Sequence, residues 1–253
     1  MEPLYILTRT SGRRKFYERC RDSVRALSWP GGVTWIVHTD DPRDTYVDAD
    51  IIVQGEAHGP YMGSGSYNLY NNRLLSAIPG DGWVHFIDDD DEYASADVFE
   101  NLLEGASKKK LQIGKVCRGG SVVWPKTWGT QRSFQTECFC VWSELAKKGK
   151  WWADKGGDHY YTRQLVRQSG TQWHDVMIAV AQEGKSHGKR VDIGGEQPDY
   201  TASIKPSEKV WFKMFIDKNG RRGGKLYDIP YSEALTLEKY DFGRVTFKGV
   251  TVG

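Results

Sequence analysis

Short, nearly continuous apolar runs recur through the N-terminal part of the chain, and each has the length of a buried strand. Two segments with apolar residues at helical spacing, 11–27 and 67–78, lie between these runs, and Ser11 is the expected cap of the first helix. Strands that alternate with helices in this way predict an α/β fold with a mainly parallel sheet flanked by helices. The predicted strands are 4–10, 33–41, 49–56 and 83–87.

The apolar pattern becomes less regular in the second half of the chain. The sequence predicts two short strands within 111–125, and a strand followed by a short helix within 137–152. A further helix is expected over 156–170, because an acid near its start precedes apolar residues at helical spacing.

The last part of the chain is polar and rich in turn residues, and it includes the basic sequence DKNGRRGGK at 217–225. This change in composition indicates a boundary between a main domain and an extension. We therefore expect a main domain at 1–195, formed by the halves 1–100 and 101–195, and a small C-terminal extension at 196–253.

Polar clusters follow three of the predicted strands, at the point where each strand ends. The clusters are residues 8–10, 39–41 and 88–91. The carboxyl ends of parallel strands meet at one edge of a sheet, and α/β sheets bind their ligands at that edge. We therefore expect these three clusters to lie close together.

The last of these clusters, in the sequence FIDDDDEY, consists of four consecutive aspartates. Like charges repel at this spacing unless water or a cation screens them. If the chain stays extended, Asp88 and Asp90 lie on the same side, and carboxylates are ligands that Mg²⁺ and Mn²⁺ prefer. The alternatives are a solvated acidic loop or a cap for a helix at 95–104. The position at a shared sheet edge favours the cation site.

The bulk composition excludes few classes of protein. The chain has 253 residues and a net charge of +2, which indicates neither a strongly anionic nor a strongly cationic partner. No apolar run approaches the ~18 residues of a membrane span, and the N-terminus does not have the pattern of a signal peptide. The four cysteines lack zinc-site spacing, and we expect them to be reduced core residues of a cytoplasmic protein.

Four segments in order resemble the glycosyltransferases of the family 2 type, which have the GT-A fold. FIDDDDEY resembles the D-x-D-D run of that family, and VHTDD lies where the family places acids that contact the nucleotide base. The opening sequence ILTRTSGRRKFYERCRDSVRAL resembles the first strand and helix, and YNLYNNRLLSAIPGDGW resembles the helix before the metal strand. The resemblance covers residues 4–95 and, more loosely, 130–170.

The resemblance implies an enzyme that transfers a sugar from a nucleotide sugar, by default a UDP-sugar, to a hydroxyl acceptor. Thr8 and Arg9 would lie against the nucleoside of the donor. Asp40 would contact the base. Asp88 would contact the ribose or a metal-bound water, and Asp89 would also bind the donor.

The resemblance also implies a Mn²⁺ or Mg²⁺ ion and a residue that faces the donor from the second helix. Asp90 would be the direct metal ligand, with Asp88 beside it and His174 as a late third ligand. The sequence reads NNR where the family has an A-R-N pattern, so either Asn72 or Arg73 would face the donor.

An inverting transfer needs a base near the acceptor hydroxyl. In the family this is the acid of an E-D pair that begins a helix, and WWADKGGDHYY resembles that segment with Asp158 in the catalytic position. Gly157 replaces the Glu of the pair, and Asp154 is the second candidate for the base. Asp158 would also serve as a helix cap.

Three other functions remain open from the sequence. The acceptor is a glycan or another hydroxyl compound, and the basic segment 217–225 near Trp211, Phe212 and Phe215 raises the alternative of a DNA glycosyltransferase that acts on hydroxymethylated bases. The missing Glu at Gly157 permits a non-catalytic binding module with the same fold. A nucleotidyltransferase would share the sheet and the acids.

Overall fold

A computed structural model of the chain describes residues 1–41, 44–55, 66–125, 134–153 and 156–181, together with the backbone of three strands nearer the C-terminus. The described residues form one mixed sheet of nine strands with helices packed against it. Its strands are β1 (Leu4–Thr10), β2 (Val33–Thr39), β3 (Ile51–Gln54), β4 (Trp83–Phe86), β5 (Glu92–Tyr93), β6 (Leu111–Arg118), β7 (Ser121–Trp124), β8 (Phe139–Trp142) and β9 (Thr171–Val180).

The strand order in this sheet is β3-β2-β1-β4-β8-β6-β9-β5, and β7 pairs with β6. The predicted α/β fold is confirmed, and β1 to β4 form the parallel half that their apolar runs predict. Beyond β4 the sheet is mixed, because β8 is antiparallel to both of its neighbours, β4 and β6. The strand β9, which the sequence analysis did not predict, is parallel to β6.

The helices lie near their predicted positions. The first differs at its start, because Arg13 rather than Ser11 is the cap residue and no side chain caps the helix. Gly12 has a φ of 61°, a left-handed conformation that turns the chain between Ser11 and the helix. The helices are α1 (Arg14–Arg25), α2 (Tyr70–Ser76), α3 (Val98–Leu103), α4 (Ser143–Ala146) and α5 (Gly157–Ser169), with short 3₁₀ helices at Ser66–Leu69 and Thr136–Cys138.

Aromatic side chains fill much of the core on either side of β1 and β4. Tyr17 of α1 stacks on Trp35 of β2, with 5.1 Å between ring centroids. Trp151 stacks on Tyr161 of α5 at 4.4 Å, and both rings pack against Phe86 at the end of β4. These contacts fix α1 and α5 against the strands whose ends carry the polar clusters. The buried thiols of Cys20, Cys138 and Cys140 belong to the same core.

Three further strands lie within the predicted C-terminal extension. They are β10 (Lys209–Met214), β11 (Leu226–Pro230) and β12 (Gly243–Thr246), and they form an antiparallel sheet in the order β11-β10-β12. Trp211 and Phe212 lie on β10, whereas the basic segment 217–225 and Phe215 lie outside the described residues.

In the described segments, each helix falls short of the length and apolarity that crossing a membrane requires.

Candidate active site

The three polar clusters meet at the edge where β2, β1 and β4 end, here called the carboxyl edge. The strands are parallel neighbours, and their register places Thr10 beside Thr39. Arg9 of β1 forms a salt bridge of 2.8 Å with Asp88, which follows β4. Asp40, which follows β2, accepts a hydrogen bond of 2.6 Å from the Tyr70 hydroxyl. The shared edge predicted from the strand ends is therefore present.

The four aspartates form a turn, residues 88–91, which we call the acidic turn. The backbone N–H of Asp91 donates to the carbonyl of Asp88 at 3.1 Å, and this bond closes the turn. The chain is therefore not extended here, and side chains do not alternate between two sides. Asp88 lies with Asp91, and Asp89 lies with Asp90, which differs from the predicted grouping of Asp88 with Asp90.

Two arginines hold one half of the acidic turn, Arg13 at the start of α1 and Arg19 in the middle of the same helix. The Arg13 guanidinium contacts Asp89 at 2.7 Å and Asp90 at 2.5 Å, and Arg19 donates to the Asp90 carbonyl at 2.5 Å. Asp89 also accepts a bond of 2.7 Å from the Thr10 hydroxyl. Burial raises the pKa of Asp89, and the Arg13 charge opposes that effect. Asp89 and Asp90 therefore face α1 rather than open space.

The turn that carries Arg13 is itself fixed by a buried acid. Asp44 accepts hydrogen bonds from the Gly12 N–H at 3.0 Å and from the Thr39 hydroxyl at 2.5 Å. The Arg13 N–H donates to the Tyr46 hydroxyl at 2.9 Å. These bonds orient the segment between β1 and α1, so the Arg13 side chain points at the acidic turn.

The other half of the acidic turn meets a third acid. Asp88, Asp91 and Glu137 each have a carboxylate oxygen within 4.8 Å of the others, and we call these three residues the carboxylate cluster. Glu137 comes just before β8, and the antiparallel pairing of β8 with β4 brings it to the carboxyl edge. Glu137 and Asp91 are buried, and burial and the neighbouring aspartates raise the pKa of Glu137.

A buried histidine fixes the backbone at Glu137. The Tyr93 hydroxyl donates to Nδ1 of His85 at 2.9 Å, and Nε2–H of His85 donates to the Glu137 carbonyl at 3.1 Å. Burial lowers the pKa of His85 to about 4, so the ring is neutral and carries its proton on Nε2. His85 thus ties β4 to the segment that presents Glu137.

Arg9 lies between the acidic turn and the N-terminus of α5. Besides Asp88, it contacts Asn68, whose Oδ1 accepts a bond of 2.6 Å, and its guanidinium lies 4.4 Å from the Tyr67 ring centroid. Burial raises the pKa of Asp158, at the start of α5, to about 6, and the Arg9 charge opposes that rise. A half-buried carboxyl with a pKa near 6 is suited to general base catalysis at neutral pH.

Gly157 leaves room that Asn68 occupies. A Cβ atom at Gly157 would lie 2.3 Å from Nδ2 of Asn68, closer than any real contact. Asn68 therefore occupies the space beside Gly157, and Asn68 in turn contacts Arg9.

A second polar group lies at the end of β2. The rings of His38 and Tyr70 stack with 4.2 Å between centroids, and Tyr70 contacts Asp40 as described above. Nη1 of Arg73 lies 3.4 Å from Nε2 of His38 and close to Gly55, where a Cβ would lie 2.1 Å from it. Asp40 and Arg73, two of the predicted donor-binding residues, therefore belong to one group with an aromatic surface.

Other predicted residues lie elsewhere. Thr8 is buried, and its hydroxyl accepts a bond of 3.0 Å from the Trp35 indole, so it serves the core. The Asn72 side chain bonds the backbone of Trp151 in both directions, at 2.9 and 3.0 Å. Nε2 of His174 lies 2.8 Å from Oε1 of Gln112, and the structure does not place it in the carboxylate cluster.

Asp154, the second candidate for the base, lies outside the described residues. The sequence analysis missed Asn68 and Glu137. Glu137 is a lone acid that leads directly into a buried strand, and that pattern is the available signal for it.

Solved structures share this arrangement of strands and helices. Staphylococcus aureus TarS 1–349 in complex with UDP-GlcNAc has 14% identity and a TM-score of 0.55, over 73% of this chain and 60% of that one. The mannosyltransferase PcManGT from Pyrobaculum calidifontis, in complex with GDP-Man and Mn²⁺, has 16% identity and a TM-score of 0.50, over 73% and 58%. The fold is GT-A.

The similarity to these GT-A structures is one of fold, because the identities are low. The chain spans at most 60% of the length of the TarS structures, and 37% of the longer TarS chain, with which it has a TM-score of 0.56. No protein-family model and no curated protein matches the sequence.

Proposed function

We propose that the chain is a metal-dependent glycosyltransferase that moves a hexosyl group from a nucleotide sugar, with UDP-sugars favoured, to a hydroxyl acceptor with inversion. The observation that carries this proposal is the meeting of the acidic turn, Arg9 and Asp158 at the carboxyl edge. The GT-A structures bound to UDP-GlcNAc and to GDP-Man with Mn²⁺ support the donor class.

The nucleoside of the donor would lie against the group at the end of β2. The Asp40 carboxylate can accept hydrogen bonds from the N–H groups of a base, and the stacked rings of His38 and Tyr70 offer an aromatic surface. Arg73 adds a positive charge to the same group. This assignment keeps the predicted roles of Asp40 and Arg73 and leaves Thr8 to the core.

The carboxylates of the acidic turn would hold a Mn²⁺ or Mg²⁺ ion. The residues fit such an ion, because the donors are oxygens and the buried Glu137 faces two further acids with no basic, amide or hydroxyl group bonded to its carboxylate among the described residues. When bound, the ion supplies charge neutralisation for the departing diphosphate. Asp88 belongs to this ion site and also forms the salt bridge with Arg9.

Asp158 acts as the base in this proposal. Its carboxylate takes the proton of the acceptor hydroxyl while the acceptor oxygen forms a bond to the anomeric carbon. The bond from that carbon to the diphosphate oxygen breaks, and the electron pair leaves with the nucleoside diphosphate. Arg9 keeps Asp158 in its ionised, base form at neutral pH by opposing the effect of burial.

The test is a panel of UDP- and GDP-sugars incubated with the chain in Mn²⁺, Mg²⁺ or EDTA, with release of nucleoside diphosphate as the readout. We expect metal-dependent release from one donor, slow in the absence of acceptor and lost in Asp158→Asn. Release of pyrophosphate would instead support a nucleotidyltransferase. Binding of nucleotide with no turnover of any donor would support a binding module.

A further inference from the structure

We propose that Glu137 is a protein ligand of the cation, together with Asp88 and Asp91, and that Asp90 is not. The role of the ion in sugar transfer rests on the proposed function. The binding of the ion to these three residues does not depend on that function. The proposal assigns the ion site to the carboxylate cluster, and it gives the short 3₁₀ helix before β8 a direct part in holding the ion.

The geometry of the carboxylate cluster suits a divalent ion. One oxygen from each acid lies within 4.8 Å of the others, so one ion between them can contact all three. Glu137 and Asp91 close the inner side because both are buried, whereas the Asp88 side chain keeps 25% of its surface exposed. That side is the path by which an ion and a diphosphate oxygen would enter.

The state of Glu137 is the independent observation that points to a ligand. The residue is fully buried, its side chain faces the acids Asp88 and Asp91, and neither carboxylate oxygen accepts a hydrogen bond from a basic, amide or hydroxyl group among the described residues. A buried carboxylate without a positive or donating partner is costly, and a bound cation offsets that cost. His85 holds the Glu137 carbonyl, and this contact fixes the backbone from which the side chain points at the two aspartates.

The partners of Asp90 exclude it from the cation site in this arrangement. Its carboxylate is held at 2.5 Å by Arg13, and its carbonyl accepts a bond from Arg19. Asp89 is bound to the same guanidinium. The acidic turn is thus divided into a half that anchors it to α1 and a half that faces Glu137.

The test measures Mn²⁺ binding to the full chain without nucleotide, by the loss of the free-ion electron paramagnetic resonance signal. We expect one Mn²⁺ per chain. We expect affinity to fall at least about 10-fold in Glu137→Gln, as in Asp88→Asn and Asp91→Asn. Asp90→Asn and the exposed Asp97→Asn should bind within about 2-fold of the wild type. Wild-type affinity in Glu137→Gln, or loss of binding in Asp90→Asn alone, would overturn the proposal.

Thermal unfolding separates a ligand from a structural residue. In EDTA, Glu137→Gln should melt no lower than the wild type, because the variant replaces one of three adjacent acids with a neutral side chain. Mn²⁺ should raise the melting temperature of the wild type and not that of the variant. A variant that melts lower in EDTA but keeps the Mn²⁺ shift would show that Glu137 is structural, for example by sharing a proton with Asp91.

The two proposals fail in different ways. If Mn²⁺ binds as described but no nucleotide sugar is turned over, the ion site stands and the proposed function falls. If the wild type turns over a donor but Glu137→Gln binds Mn²⁺ normally, the function stands and the assignment of Glu137 is wrong. If the wild type binds no Mn²⁺, the assignment of Glu137 is wrong whatever the turnover.

Discussion

Asp158 combines a half-buried position with a nearby positive charge, and together these set its acidity. Its pKa of about 6 means that the base form increases as the pH rises through that value. We expect kcat/KM to rise about tenfold per pH unit below pH 6 and to level off above it. Asp158→Asn should lower kcat by about 10²- to 10⁴-fold. A flat pH profile, or a variant with near-normal activity, would rule out Asp158 as the base.

Arg9 connects two acids, since it forms a salt bridge with Asp88 and its charge lowers the pKa of Asp158. Removal of the charge in Arg9→Met should therefore raise the pKa of Asp158 and move the rising limb of the kcat/KM profile to higher pH. Arg9→Lys keeps a charge and should leave the limb close to that of the wild type.

The control for Arg9 is the exposed Arg14, whose substitution by Met should not move the limb. If the limb of Arg9→Met coincides with that of the wild type, Arg9 does not control the acidity of the base.

At the scale of elements, the acidic turn is anchored to the start of α1 by Arg13. Loss of this guanidinium leaves the buried Asp89 without its charge partner. Arg13→Met should therefore lower the free energy of unfolding by about 3 kcal/mol in EDTA. Arg14 is the next residue in the chain, and Arg14→Met removes only an exposed ion pair with Glu18. This variant should lower the free energy of unfolding by less than about 0.5 kcal/mol. Urea unfolding measures both, and equal losses would contradict the anchoring role.

The start of α5 is the second element whose packing matters for the site. Gly157→Ala would push Asn68 away, because the new Cβ would lie 2.3 Å from Nδ2 of that side chain. Because Asn68 contacts Arg9, its displacement should misplace the Arg9 side chain, and we expect kcat/KM to fall roughly 10- to 100-fold. The free energy of unfolding should change by no more than about 1 kcal/mol. A matched glycine, Gly80, has only an ordinary contact of 3.5 Å, so Gly80→Ala should be neutral in both. Normal activity in Gly157→Ala would show that Asn68 does not position Arg9.

For the molecule as a whole, the sequence predicts the strands correctly where consecutive residues are all buried. The runs that become β1, β2 and β4 lie in the core on both faces, and their parallel pairing accounts for the predicted carboxyl edge. The strand β9 was missed because its residues are only partly buried over most of its length, so the apolar signal is weak.

The details of the candidate site depend on contacts that a local pattern does not contain. The hydrogen bond that closes the acidic turn changes which aspartates lie together, and an alternating pattern cannot anticipate it. Glu137 reaches the cluster through the antiparallel pairing of β8 with β4, and Asn68 reaches Arg9 from the segment before α2. The sequence shows which residue types are present, but only the folded structure shows which of them lie next to one another.

In the proposed function, the acidic turn serves metal-dependent sugar transfer from a nucleotide sugar. The most direct measurement is the rate of nucleoside diphosphate release from the preferred donor, in Mn²⁺ and in EDTA, by the wild type, Asp88→Asn and Asp97→Asn. We expect release that requires Mn²⁺, falls at least about 100-fold in Asp88→Asn and is unchanged in the exposed variant Asp97→Asn. Release that persists in EDTA and in Asp88→Asn, or folded wild-type protein that releases nothing from any donor, would contradict it.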